Sequence, residues 1–184
     1  MPDITIENMV ITTRVADSVD LERIANNLPD VEYQPENIPG IVIQHNTPRS
    51  TIILFADGRI VFTGPKTPEQ INEVINAIQS KLLVVGVPRS THTDITIQQI
   101  VASTTIANHL LLSNIAKSLP YAEYNPKKFP GIIYRTDDPN TIILLFDSGK
   151  VVCNGTNQDV ITDQIEKLTT KLTSMGLVTK GGKK

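Results

Sequence analysis

The sequence predicts an α+β protein made by duplication. Short β-branched runs joined by tight hairpins alternate with a few amphipathic helices, and the chain matches itself at a spacing of 91 residues. Ile4-Thr5-Ile6 recurs as Ile95-Thr96-Ile97, Leu21 to Pro29 as Leu112 to Pro120, and Pro39-Gly40-Ile41 as Pro130-Gly131-Ile132. Leu54-Phe55 with Gly58, Val61 and Gly64 recurs as Leu145-Phe146 with Gly149, Val152 and Gly155. Roughly two-fifths of aligned positions up to Gly64 are identical, after which the spacing drops to 90 through a one-residue loop deletion. A period this long suits a subdomain used twice rather than a solenoid unit. The expected organisation is a first repeat over 1–86, a linker over 87–94, a second repeat over 95–176 and a flexible basic tail over 177–184.

Ile4 to Thr12, rich in Ile, Val and Thr and partly alternating, reads as a strand. Asp20 caps a short helix in which Leu21, Ile24, Ala25 and Leu28 make one apolar stripe, and Pro29 stops it. Ile41 to His45, Thr51 to Phe55 and Arg59 to Thr63 read as strands, with Ala56-Asp57-Gly58 as the hairpin between the last two. Thr67 caps a second helix with Pro68 at its first position and Gln70 completing a capping box; Ile71, Val74, Ile75, Ile78 and Leu82 form its buried face. Two helices per repeat cover one face of such a sheet. Thr51 to Phe55 and Thr141 to Phe146 are nevertheless apolar at both parities, so an apolar face is left over. That face is a binding surface, or it is covered by the other repeat or by a second copy of the chain.

With 184 residues, 40% of them hydrophobic, and a net charge of −2, the chain has the apolar content of a folded protein and no bulk positive charge. The N-terminal MPDITIENMV lacks the basic start and apolar run of a secretory signal, and no apolar stretch approaches the length of a membrane span, so an intracellular protein without membrane association is expected. The lone Cys153 excludes an intrachain disulfide and a multi-cysteine zinc site; it is expected beneath the helices rather than reactive. His45, His92 and His109 are dispersed without metal-ligand spacing and read as surface residues. Thr63-Gly64-Pro65-Lys66-Thr67 lacks the glycine spacing of a phosphate loop, and Asn154-Gly155-Thr156 reads as a turn. No nucleophile, base and orienting group assemble, so neither an enzyme nor a cofactor is expected. Apolar residues at matching places, Phe55 and Phe146 at strand ends and Ile38 and Phe129 before Pro-Gly, instead suit wedges for a nucleic-acid groove, with core packing as the alternative use.

The stretches from Glu123 to Arg135 (EYNPKKFPGIIYR), Leu145 to Cys153 (LFDSGKVVC) and Gln99 to Ser103 (QIVAS), within a duplication covering about Ile4 to Gly176, resemble the TATA-box-binding protein family in its archaeal, core-only form. The resemblance implies one curved antiparallel sheet, a saddle, with helices on its convex face. It also implies a general initiation factor that binds the minor groove of AT-rich promoter DNA and kinks it with apolar wedges, the behaviour for which this family is the standard example. On that resemblance Phe55, Phe129, Phe146 and Ile38 are the wedges. Asn8 and Gln99 read groove acceptors, Val10, Val101, Val61 and Val152 line the apolar face, and Thr63 and Asn154 add polar groups to it. Arg135, Arg59, Lys150, Arg49 and Lys66 meet phosphates. A transcription factor B-like partner, bringing RNA polymerase, docks at a stirrup turn, either Asn125, Lys127 and Lys128 or Gln34 and Glu36.

Departures from the family pattern cluster at functional positions. Ile38 stands for a wedge Phe, Gln99 for a second Asn, Asn154 and Asn157 for Thr and Lys, and Gln44 for an Arg. The stirrup of the second repeat is basic where an acidic one is usual, and the tail carries lysines instead of acids. They motivate a second reading: a paralogue with weak DNA affinity that works as a protein-interaction module. A core-only member of archaeal type belongs in the cytoplasm with the chromosome, a eukaryotic one in the nucleus.

Overall fold

A computed structural model describes residues 2–91 and 93–178. His92 and the part of the expected tail over 179–184 lie outside the described residues. Ten strands and four helices follow in order: β1 (Thr5–Arg14), α1 (Leu21–Asn27), β2 (Val31–Tyr33), β3 (Gly40–Asn46), β4 (Arg49–Phe55), β5 (Arg59–Thr63), α2 (Pro68–Val84), then β6 (Thr96–Thr105), α3 (Leu112–Ser118), β7 (Ala122–Glu123), β8 (Ile132–Arg135), β9 (Ile142–Leu145), β10 (Lys150–Gly155) and α4 (Gln158–Ser174). The second set repeats the first, so the α+β duplication is present. The chain divides into two compact units, 8–98 and 1–7 with 99–184. The division falls inside β1 and β6 rather than in the connection between the repeats.

In the 8–98 unit the strands run in the order β2-β3-β4-β5-β1, all antiparallel. One parity of β1, β3, β4 and β5 is sealed: Ile11, Ile41, Ile43, Ile52, Leu54, Ile60 and Phe62 have no exposed surface. α2 supplies Ile71, Val74, Ile75, Ile78 and Leu82 to the same core, and each such side chain contributes about 1.5–3 kcal/mol by leaving water. The expected caps are present. Asp20 accepts from the Arg23 N–H at 3.1 Å, and Thr67 Oγ1 accepts from the Gln70 N–H at 3.2 Å. Gln70 Oε1 takes the Lys66 N–H at 2.8 Å instead of the cap residue's own, so the box closes one residue early. Gly58 closes the β4–β5 hairpin at φ +81°, with the Ala16 carbonyl where a side chain would stand.

The 1–7/99–184 unit orders its strands β6-β10-β9-β8-β7. Ile100, Ala102, Ile132, Ile143, Leu145, Val151 and Cys153 are buried beneath α4, which contributes Ile161, Ile165, Leu168 and Leu172. The sequence expectation of a turn at Asn154-Gly155-Thr156 is corrected here: Asn154 and Gly155 end β10, paired with Val101 and Ile100. α4 follows so closely that a side chain on Gly155 would meet Ile161 Cγ1 at 2.8 Å, which is why a glycine can end a strand at this point.

Candidate nucleic-acid interface

The parity opposite each core forms the candidate surface. In the 8–98 unit it carries Asn8, Val10, Thr12 and Arg14 on β1, Arg59, Val61 and Thr63 on β5, Arg49, Thr51, Ile53 and Phe55 on β4, and Val42 and Gln44 on β3. Val10, Val42, Ile53 and Val61 are half-buried, so the face keeps apolar area in water with arginines at its margin. The other unit presents Gln99 and Val101 on β6, Lys150, Val152 and Asn154 on β10, Ile142 and Leu144 on β9, and Ile133 and Arg135 on β8. Of the expected site residues, Lys66 alone among the phosphate contacts lies off the strands, in the turn entering α2. Thr12, Arg14 and Ile53 were not anticipated individually, although parity counted from Asn8 and from Phe55 reaches all three.

Each unit has a corner where an apolar side chain follows a turn. The Gln34 carbonyl accepts from the N–H groups of Asn37 and Ile38, and the Asn125 carbonyl accepts from those of Lys128 and Phe129. The two stirrup turns therefore share one backbone design, with Glu36 exposed in one and Lys127 and Lys128 in the other. The Phe129 and Phe146 rings meet edge to face at 5.8 Å. They close over Gly131, where a Cβ would lie 3.0 Å from Phe129 and 3.2 Å from Phe146. Ile38, 38% exposed, is the counterpart of Phe129, and Phe55 lies beside Gly40.

The charges are partly engaged. Arg135 Nε contacts Glu123 Oε1 at 3.2 Å and Arg59 contacts Asp57 at 3.7 Å, both pairs well exposed. Arg14 donates to the Asp57 and Asp17 carbonyls. Arg14, Arg59, Phe55 and Val61 border a cleft of about 600 Å³ in the 8–98 unit, and the equivalent cleft around Ser103, Thr105 and Lys150 measures about 460 Å³.

The expected chemistry of the remaining groups holds for Cys153, which is fully buried; burial and then the Asp138 carboxylate push its thiol up to about 12. His45 is half-buried, its Nε2 2.9 Å from the Thr47 carbonyl, and His109 is exposed. A separate cluster lies off the strand face, where Gln164 donates to Asp137 at 2.5 Å and Lys167 bridges Asp137 and Asp163. That hydrogen bond, more than the lysine, holds the Asp137 carboxyl below its ordinary value. Among the described residues no group of three His, Cys, Asp or Glu could hold a metal ion, and no helix is long and apolar enough to cross a membrane.

The family model for "Transcription factor TFIID (or TATA-binding protein, TBP)" matches residues 3–84 and 94–175. The chain belongs to the TATA-binding protein family. Its relatives include the TATA-box-binding proteins of Thermoplasma volcanium, 38% identical over 95% of this chain and 97% of that protein, and of Pyrococcus abyssi, 36% identical over 94% and 91%. The solved structure of Methanococcus jannaschii TBP matches with a TM-score of 0.86 at 33% identity, covering 94% of this chain and 99% of that one. The family is one of general transcription factors, not of enzymes.

Proposed function

We propose that the half-buried strand faces bind the minor groove of TATA-like promoter DNA. On this reading Phe129 and Phe146 enter a base step at one corner and Ile38 and Phe55 at the other, kinking the duplex. Arg14, Arg49, Arg59, Arg135 and Lys150 meet phosphates at the margin, and Asn8, Gln99, Thr63 and Asn154 meet the groove's acceptors. The turn around Asn125, Lys127 and Lys128, or that around Gln34 and Glu36, receives a transcription factor B-like protein that brings RNA polymerase. The observation that carries the reading is an apolar strand face that each unit leaves half-exposed, ending in an apolar corner at equivalent positions, in a chain of this family. Covering such area with sugar and base edges returns about 25 cal/mol per Å², and unstacking at the wedges is offset by the wider contact that bending permits. A net charge of −2 suits a binder that relies on apolar contact and deformation. The archaeal sources of the relatives support a place in the cytoplasm with the chromosome.

The second reading, a protein-interaction module with weak DNA affinity, draws support from the Glu123 carboxylate that occupies Arg135. Binding and bending of a TATA-like duplex against a GC-rich one, at one fixed salt, separates the two. Selective bending that Phe129→Ala with Phe146→Ala abolishes is expected. No bending, even with a transcription factor B partner added, leaves the interaction module.

A further inference from the structure

We propose that the Gly64 backbone N–H orients the Asn8 amide with its –NH2 toward the groove, so that discrimination for A·T over pairs carrying a minor-groove amine is concentrated at the step Asn8 faces and is relaxed at the step Gln99 faces. This rests on the minor-groove reading above. The Gly64 N–H donates to Asn8 Oδ1 at 3.0 Å. A backbone N–H can only donate, so the engaged amide atom is the oxygen and the –NH2 is directed away from Gly64. Asn8 Nδ2 has no hydrogen bond among the described residues. The amide is therefore held with its oxygen toward Gly64 and its two N–H donors toward the half-exposed face. In the minor groove A·T and T·A pairs present only acceptors, whereas guanine adds an amine donor. A fixed donor matches the first and meets a donor at the second.

Gly64 is the positioning residue. The β1–β5 ladder ends at Val10↔Thr63, and the chain then turns at φ +119°, a conformation that favours glycine. A Cβ there would lie 2.1 Å from the Arg49 carbonyl oxygen, so only glycine brings this N–H to Asn8 without displacing β4. The other unit lacks the device. Its ladder continues to Gly155↔Ile100, and Gln99, the counterpart of Asn8, makes no side-chain hydrogen bond among the described residues. Its amide can present either end to a base.

The test uses the full chain and a TATA-like duplex in which each adenine is replaced singly by 2,6-diaminopurine, which adds a minor-groove amine and keeps pairing with thymine. Wild type should lose about tenfold in affinity at one step and less than about threefold elsewhere. Asn8→Asp keeps an acceptor for Gly64 but replaces the donors by a carboxylate, so at that step the ratio should invert in favour of diaminopurine. Asn8→Ala should flatten it. Hydrogen exchange of the Gly64 amide in the free protein should be slow in wild type and Asn8→Asp and faster in Asn8→Ala, a readout independent of DNA. Tight binding of the parent duplex with no step sensitive to the added amine, or with Asn8→Asp keeping the wild-type pattern, overturns the inference and leaves the minor-groove reading standing. Failure to bind the parent duplex at all overturns both.

Discussion

The two units fill three equivalent positions differently. In the core, Phe62 of the 8–98 unit corresponds to Cys153, and both are fully buried. At the corner, Ile38 corresponds to Phe129, which alone of the two has an aromatic partner, Phe146. At the edge, Gln44 accepts from Thr51 Oγ1 at 2.9 Å where Arg135 pairs with Glu123. Backbone geometry tolerates each exchange: stirrup turns, hairpin glycines and strand order are common to both units. Duplication preserves these elements, while the side chains on the face diverge unit by unit.

The largest difference is expected in the cores. Phe62→Ala should cost about 3–5 kcal/mol, because a ring sealed on all sides leaves a cavity that β-strands cannot collapse to fill, whereas Cys153→Ala should cost about 1–2 kcal/mol. Urea midpoints for both variants check the ratio; equal costs would mean that the cavity at Phe62 refills. Cys153 also gives a signature in pH. Its thiol is raised from 9.0 to about 12 in the folded protein, so the folded state holds the proton longer and the stability this group contributes is lost as pH rises across that interval. Cys153→Ala should flatten the alkaline decline in the urea midpoint.

Next come the corners. Removing both rings with Phe129→Ala and Phe146→Ala should weaken binding of a TATA-like duplex by roughly 2–4 kcal/mol, the range of a buried aromatic anchor, and Ile38→Ala with Phe55→Ala by less. Equal losses in a bending assay would erase the asymmetry of the two corners. Ile38→Phe sharpens it from the other side: a ring beside Phe55 should increase bending.

How much of this was legible in the sequence follows from how local each signal is. The duplication, the capped α2 and the hairpin at Gly58 rest on residues close in sequence, and the structure has them where expected. Asn154-Gly155 misled because its turn-forming types suit a strand end once α4 packs onto Gly155, a contact that no local pattern encodes. The candidate face was recognisable from the double apolar parity of Thr51 to Phe55, yet Arg14 needed the β1–β5 register to put it beside Arg59. The Asn8–Gly64 bond spans 56 residues and was beyond any motif. The resemblance supplied roles for wedge positions that periodicity alone leaves open between groove and core.

The edge carries the smallest expected effect and the most direct contest between the two readings. Arg135 lies two residues along β8 from Ile133, the partner of Glu123, so the pair reaches diagonally across strands. Glu32 faces Val42 in the same register, two residues from Gln44, and has no ion pair among the described residues. An arginine at Gln44 would thus find Glu32 as Arg135 finds Glu123. An exposed pair of this kind is worth at most about 1 kcal/mol, less than a phosphate contact at low salt, so DNA should win the arginine from the carboxylate. Gln44→Arg should therefore tighten binding modestly and steepen the slope of log affinity against log salt by a fraction of the roughly 0.9 expected per phosphate; adding Glu32→Gln should bring it close to the full value. Glu123→Gln should have the same sign at the other edge, freeing Arg135. A slope that none of these variants moves would mean that the edges stand clear of the phosphates, and the carboxylate partners would then mark a surface for protein rather than for DNA.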